Sequence, residues 1–385
     1  MKEIKSEAKL TFLEATAIIV GHGVGSGILS VPYLASRNTW WDVIWVLALV
    51  YIINLLLHLM ISELSLNNGG AQFIKCIEGE LFTGKAKKII TWICFIFLGL
   101  SVIVNISGFI VGASAVFESW FGLNKYLGMI IYYVLAALVV NFGMKLVGIC
   151  EKISVWSMFG VILVLLVATF LSETYDLPSK FYASSNILGL FSMVSFSLSA
   201  VMSVPQVVKG LQGDTKRIRG AISLGTGLNL LLVVLITIMT LAGAGSSISQ
   251  NGALVDLASH LGGWVGIIGY IFTLLALSTS FWANTLNIRD IVYEQTHWNI
   301  KLCYLIPTIP SLILALCGLS SFVGFTRLAS VIQVLTGVAI IASYHMSRKR
   351  TKESPILGKF GVLPFQIIVV LSSILATVGA LVTIV

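Results

Sequence analysis

The sequence predicts an all-α polytopic membrane protein of about eleven transmembrane helices: two five-helix repeats of inverted topology and one additional C-terminal helix. Three observations predict it. Hydrophobic residues make up 57% of the 385 positions and charged ones only 10%, with a mean hydropathy of +0.98. A soluble domain carries about 25% charge, so a surface this poor in charge must face lipid. The apolar residues fall in runs of about the 20 positions that a spanning helix needs. Two of those runs, the first and the sixth, are interrupted at their centres by helix-breaking residues.

The first run, Thr11–Ala35, follows a basic MKEIKSEAK segment that resembles the start of a signal peptide. The run is too long for one, and no cleavage signal follows. Trp41–Leu66 is the second span. Between it and the third, Asn67–Lys88 contains GGAQFIKCIEGELFTGKAKK, where a short interfacial helix is expected. Ile89–Phe117, Tyr126–Gly143 and Ile153–Leu171 complete a first repeat over 11–171. Asn186–Val208, Gly220–Ala242, Trp264–Ile288, Leu302–Gly318 and Phe322–Met346 form a second over 186–346, and Val362–Val385 stands alone. Within Gly243–Gly263 the stretch LVDLASHL reads either as a short helix covering a pocket or as an ordinary loop.

Basic residues set the orientation. With the N-terminus cytoplasmic, all but four of the 24 lysines and arginines fall on the cytoplasmic side, the exceptions being Arg37, Lys125, Lys180 and Arg327. This is the bias expected of inside loops; it places the C-terminus outside and explains the net charge of +8 without nucleic acid. The five cysteines form no CxxC pair and read as small packing residues.

The chemistry lies in the two interrupted spans. The first carries GHGVGSG, Gly21–Gly27. Four glycines in seven residues weaken a helix by roughly 1 kcal/mol each. Close helix packing uses glycines at spacing four, which Gly21 and Gly25 satisfy; Gly23 and Gly27 go beyond it and point to an unwound segment. The sixth carries SFSLSAVMSVP, Ser195–Pro205, with four serines and a proline. Disturbed spans at matching places in two halves point to an inverted-repeat transporter. Unwound backbone at mid-membrane is tolerated only where it lines a cavity. Free amides at Ser26, Gly27 and Ile28 suit a carboxylate. Carbonyls near Val20, Gly21 and Gly23, with Phe196 and Ser197, suit an ammonium group or a sodium ion. Donors at one end and acceptors at the other fit a zwitterion, and glycine at 25 and 27 permits close approach.

These residues resemble a known family. GSGILSVPYLAS, Gly25–Ser36, looks like the first-span signature of the amino acid–polyamine–organocation superfamily, especially its amino acid/auxin permease branch, although Leu34 intervenes before Ala35. NFGMKLVG (Asn141–Gly148), FSLS (Phe196–Ser199) with Pro205, and LNIRDIV (Leu286–Val292) resemble further superfamily segments. The resemblance implies a LeuT-like fold with discontinuous helices 1 and 6. It implies that Gly25, Ser26 and Gly27 hold a carboxylate, and that Gly23, Phe196, Ser197 and Ser199 receive the amine or line the pocket. Gly21 and Ala200 stand where sodium-coupled members often have asparagine and histidine, which leaves the coupling ion open.

Other polar residues lie within spans. His22 reads as a pocket wall or proton site, or as a histidine bonded to a neighbouring helix. Thr279 and Ser280, beside Ser278, offer hydroxyls that with carbonyls of Gly21 and Val24 would cage sodium, or simply pack. Asn105 is expected to face the pocket. Arg327 reads as an outer-gate partner or a snorkelling side chain, and Glu14 and Glu63 as inner-gate contacts or solvated groups. No carboxylate is expected deep in the membrane, which disfavours cationic cargo. No Walker, HExxH or nucleophile–base motif is present, so no enzyme and no cofactor is predicted beyond a coupling ion, with Na+ a candidate. The expected protein is a cell-membrane secondary transporter of a neutral, apolar or small amino acid, functional as a monomer in the bilayer. The alternative is an amino acid sensor that uses the same fold without net transport.

Overall fold

The computed structural model describes residues 9–173, 175–177, 186–244, 248, 253–319, 322–352 and 354–382; the side chains of Ser26, Val255, 322–336 and Val382 are outside that description. Every regular element among them is helical. α1 (Phe12–Gly23), a 3-10 turn (Ser26–Leu29) and α2 (Val31–Ser36) together make span one. α3 (Trp40–Asn67) is span two, α4 (Phe73–Leu81) a short amphipathic helix, and α5 (Lys87–Phe121), α6 (Lys125–Asn141) and α7 (Met144–Phe170) spans three to five. Span six divides into α8 (Ile187–Ser197), a 3-10 turn (Val201–Ser203) and α9 (Val204–Gly210). α10 (Thr215–Ala244), α11 (Ala253–Leu261) and α12 (Gly263–Thr296) follow. α13 (Ile300–Cys303) and α14 (Leu305–Leu316) form span nine, α15 (Phe322–Thr351) span ten and α16 (Leu363–Val382) the additional helix.

Local chemistry fixes many ends. Thr11 and Thr39 open α1 and α3 as reciprocal capping boxes with Glu14 and Asp42, each cap worth about 1 kcal/mol. Gly143, at φ +90°, turns the chain between α6 and α7 in a conformation open to glycine. The expected interfacial helix is α4, and LVDLASHL lies in α11, whose Leu257 packs on Gly243 of α10 and whose Leu254 packs on Gly269 of α12. Burial, with Glu294 and Glu80 nearby, pushes the Cys76 thiol on α4 up, in keeping with a packing role.

α1 sits centrally, packed against α10, α7 and α12, while α5 packs on α15, α12, α6 and α14. Large apolar side chains such as Trp41, Ile89, Leu138, Leu163 and Leu371 are exposed around the bundle, where lipid replaces water as solvent. One boundary departs from expectation with consequences. The fifth helix starts at Met144, nine positions before Ile153, because Lys145 and Lys152 ride on the helix rather than in a loop.

Candidate functional site

Span one bends by 58° between its two helical parts. Val24 N still donates to Val20 O at 2.8 Å, but Gly25 N turns back to Gly23 O at 2.7 Å, and the next helical bond is Ile28 N to Gly25 O at 3.2 Å. The carbonyls of Gly21, His22 and Val24 are thereby left without a backbone donor among the described residues. Gly25 is extended, with ψ −179°, so Ser26 and Gly27 begin the 3-10 turn with amides free, as at any helix start. Pro32 follows in the first turn of α2, where its missing N–H costs nothing.

Span six loses regular helix over Leu198–Ala200. Ser199 N folds back to Phe196 O at 3.2 Å, and Ala200 N donates at 2.9 Å to Nε2 of His58, a side chain from α3. His58 must therefore be unprotonated at Nε2, and its Nδ1 lies 3.2 Å from Thr226 Oγ1 on α10. A histidine on span two thus supplies the bond that span six lacks.

The two breaks face each other. A Cβ on Gly27 would lie 2.5 Å from the Phe196 ring and 3.1 Å from Ser197 Oγ. Ser197 directs its own hydroxyl to Met193 O at 2.8 Å, and Ser199 is half-buried. His22 Nδ1 and Ser203 Oγ, 2.7 Å apart, tie α1 to the second 3-10 turn, so His22 is bonded to a neighbouring helix. Gly23 is fixed by Asn229 of α10, whose Nδ2 occupies the space a Cβ would need and donates to Ile19 O at 3.2 Å. Span eight closes the other side: a Cβ on Gly21 would be 3.0 Å from Thr279 Cβ, and one on Gly25 would be 3.5 Å from Ser280 Oγ. Thr279 Oγ1 donates to Ala276 O at 3.0 Å, whereas Ser280 Oγ is buried without a partner. The structure thus gathers Gly21, Gly23, Gly25, Gly27, Phe196, Ser197, Thr279 and Ser280. Asn105 is buried on α5 with Oδ1 unpaired, and α5 packs on α12, α14 and α15. The side chains of Ser26 and Arg327 lie outside the described residues.

Two expectations are overturned: the Ile28 amide is not free, since it donates to Gly25 O, and a carboxylate is found deep in the bundle. Glu151 of α7 has no exposed surface, and neither carboxylate oxygen has a hydrogen-bond partner. Its Oε2 fills the space beside Gly21 so fully that a Cβ there would collide with it. A carboxylate therefore does lie deep in the bundle, and its supposed absence cannot be used against cationic cargo. The signal was present in the sequence. Met144, Val147, Glu151, Ser154, Met158, Ile162 and Leu165 recur at helical spacing and are all buried; the flanking lysines concealed the pattern.

At the basic end of the bundle many polar groups are paired. Lys145 Nζ lies 2.6 Å from Glu14 Oε2. Asp290 meets Arg289 at 2.7 Å and Lys209 at 3.5 Å. Gln72 N donates to Glu294 at 3.0 Å, and Asn287 bonds both Gln72 and Met202 O. Glu63, fully buried, accepts from Tyr344 at 3.1 Å, Ser354 at 2.8 Å and the amides of Ile356 and Leu357 at 3.2 and 3.1 Å, with Arg348 at 3.6 Å. Among the described residues no three His, Cys, Asp or Glu side chains gather as a metal site.

Comparison with known proteins agrees with this geometry. The profile of the Tryptophan/tyrosine permease family matches residues 8–383. A tyrosine permease of Enterobacter agglomerans is 26% identical over 320 residues, covering 74% of this chain and 74% of that one. Among solved structures, MhsT in complex with L-phenylalanine superposes with a TM-score of 0.71 at 15% identity, over 98% of this chain and all of that one. The manganese transporter of Eremococcus coleocola gives 0.68 at 14% identity, over 100% and 90% of the two chains. Mhp1, a nucleobase-cation-symport-1 family transporter, gives 0.66 at 14% identity, over 98% and 91%. These likenesses establish the LeuT-like fold, with its repeats and broken first and sixth helices.

Proposed function

The chain belongs to the tryptophan/tyrosine permease family, and from that premise we propose that it carries an aromatic amino acid across the membrane by alternating access. It is a multi-pass membrane transporter and not an enzyme. The observation that carries the cargo reading is the pair of facing breaks: free amides at the start of the 3-10 turn at Ser26 and Gly27, set against the aromatic ring of Phe196.

In this reading the substrate carboxylate sits on the amides of Ser26 and Gly27, reached because Gly25 and Gly27 carry no side chain. The ammonium group faces backbone carbonyls around Gly21, His22 and Gly23 and the breaks at Phe196, Ser197 and Ser199. The substrate ring packs against Phe196 after that side chain swings off Gly27. Asn105 approaches from α5 when the bundle rearranges. The family narrows the expected neutral amino acid to tyrosine or tryptophan, and the first-span signature supports a place in the amino acid–polyamine–organocation superfamily near its amino acid/auxin permease branch. A Na+ or H+ gradient drives uptake. Carbonyls of Gly21 and Val24 with the hydroxyls of Thr279 and Ser280 are the proposed Na+ ligands. The charge bias supports a cytoplasmic N-terminus, an extracytoplasmic C-terminus and opening toward the cell at the basic end, where Glu14–Lys145 and Asp290–Lys209 form the gate; one chain suffices for the cycle.

The test is counterflow in proteoliposomes loaded with unlabelled tyrosine. Labelled tyrosine, tryptophan or phenylalanine is expected to exchange inward, and glycine, lysine and putrescine are not. Exchange of putrescine in preference to all three aromatic amino acids would overturn the cargo assignment. Tyrosine binding with no exchange would favour the sensor.

A further inference from the structure

We propose that the additional helix, α16, is a working part of the substrate site: through Gly379 and Ser192 it positions α8, the short helix that presents Phe196 and Ser197 to the break in span one. Ser192 and Gly379 are thus positioning residues. The inference rests on the transport reading above and adds to it the helix that stands behind the pocket wall.

α16 has two unlike faces. Ile367, Ile368, Leu371, Leu375 and Val378 are exposed on the side that meets lipid. Gln366, Val369 and Gly379 are buried at helical spacing on the other side, with Ala376 half-buried between them. That second face runs onto α8. A Cβ on Gly379 would collide with the carbonyl oxygen of Leu188 and lie 2.8 Å from Ser192 Cβ. Glycine is what lets the two backbones come so close, as small residues do between membrane helices. Across the same contact Ser192 Oγ donates to Ala376 O at 2.6 Å.

α8 depends on such backing. It has only 11 residues, too few to be stable as a helix by itself. It ends where span six loses regular helix, so no following turn steadies Phe196. Its start is held by Asn38, whose Oδ1 accepts from Asn186 N at 3.3 Å. Its other neighbours are α3, α10 and the second half of span one. Phe196 stands about two turns beyond Leu188 on one continuous helix. The place where α16 holds Leu188 and Ser192 therefore sets where the Phe196 ring meets Gly27.

α16 is itself anchored at its other end. Gln366 Nε2 donates to Gly361 O at 2.9 Å, and Gln366 Oε1 lies 2.9 Å from His345 Nδ1 on α15. Just before the helix, the amides of Ile356 and Leu357 donate to Glu63 of α3. α16 is thus fixed at the basic end and meets α8 near its far end. A larger side chain at 379 forces the two helices apart, and α8 loses its support. The loss falls on the fit of the substrate ring against Phe196, and so on binding rather than on the speed of the carrier.

The test compares wild type, Ser192→Ala, Gly379→Val and Val378→Ala in tyrosine counterflow in proteoliposomes, with the concentration dependence resolved into KM and maximal rate. Gly379→Val is expected to raise KM about tenfold and Ser192→Ala about threefold, each with a maximal rate within about twofold of wild type. Val378→Ala, next to Gly379 but on the lipid face, is expected to match wild type. A helix that only stabilises the fold would lower the amount of active protein, and with it the maximal rate, while leaving KM alone. Ser192→Ala adds no volume, so the comparison survives if Gly379→Val does not fold. A KM equal to wild type in Ser192→Ala overturns the proposal, as does an equal rise in Val378→Ala. A wild type inert in counterflow refutes the transport reading instead. The same variants are then compared by their Kd for tyrosine in detergent: the same ratios support positioning, and equal Kd values or no binding by wild type overturn it.

Discussion

Glu63 and Glu151 are equally buried and oppositely treated. Neither has exposed surface. Glu63, on α3, accepts four hydrogen bonds and faces Arg348, so that α3, α15 and the chain leading to α16 are held by one carboxylate. Glu151, on α7, accepts none and lies against the glycine where span one comes apart. Burial alone therefore does not tell how an acid is held; the number of committed partners does. The satisfied acid sits where α3, α15 and the connection to α16 meet. The unsatisfied one sits against Gly21, at the break in span one.

The sharpest way to break this contrast is a pair of alanine variants compared by thermal unfolding in detergent. Glu63→Ala strips a half-buried guanidinium and four donors of their buried acceptor, and a loss of about 3 kcal/mol is expected. Glu151→Ala removes no bond and is expected to change stability far less. Equal losses would show that partner count carries no such meaning here.

His58→Ala comes next. It leaves the Ala200 amide without its acceptor, while Thr226 keeps its bond to Ile222 O, for an expected loss of about 1–3 kcal/mol. Tyrosine exchange should fall with it, since the break in span six is no longer fixed. Unchanged stability and exchange would mean that Ala200 finds another acceptor.

Gly27→Ala pushes a methyl group into the Phe196 ring. An expected tenfold rise in the KM for tyrosine corresponds to about 1.4 kcal/mol. Adding Phe196→Leu should recover part of it, because neighbours in contact do not act additively. A double variant no better than the single one would separate Phe196 from the site.

Lys145→Gln should matter least for stability. The lysine side chain is 46% exposed although Glu14 is buried, so a loss under about 1 kcal/mol is expected. Its effect should appear instead as faster tyrosine exchange, if the pair helps to hold the basic end shut. Slower exchange with unchanged stability would count against a gating role.

Much was legible without coordinates. The membrane class, the order of spans and the two breaks depend on composition and on local helix cost, which a chain displays along its length. α4 was legible for the same reason, as a short amphipathic stretch between apolar runs, and α11 only as one of two readings of LVDLASHL. Glu151 was not, because lysines at 145 and 152 looked like a loop although they lie on the exposed side of a continuing helix. His58 and Asn229 were not, because one polar residue in an apolar span does not name its partner.

The sequence by itself determined that this chain crosses the membrane about eleven times and where its helices fail: lipid demands long apolar runs, and glycine and proline weaken helices wherever they stand. Only the tertiary structure decided what meets those failures. His58 reaches Ala200 across 142 positions and Asn229 reaches Ile19 across 210, and Glu151 closes on Gly21 from another span. Such contacts arise from the packing of whole helices, and their energy depends on which groups are left unpaired once water is gone.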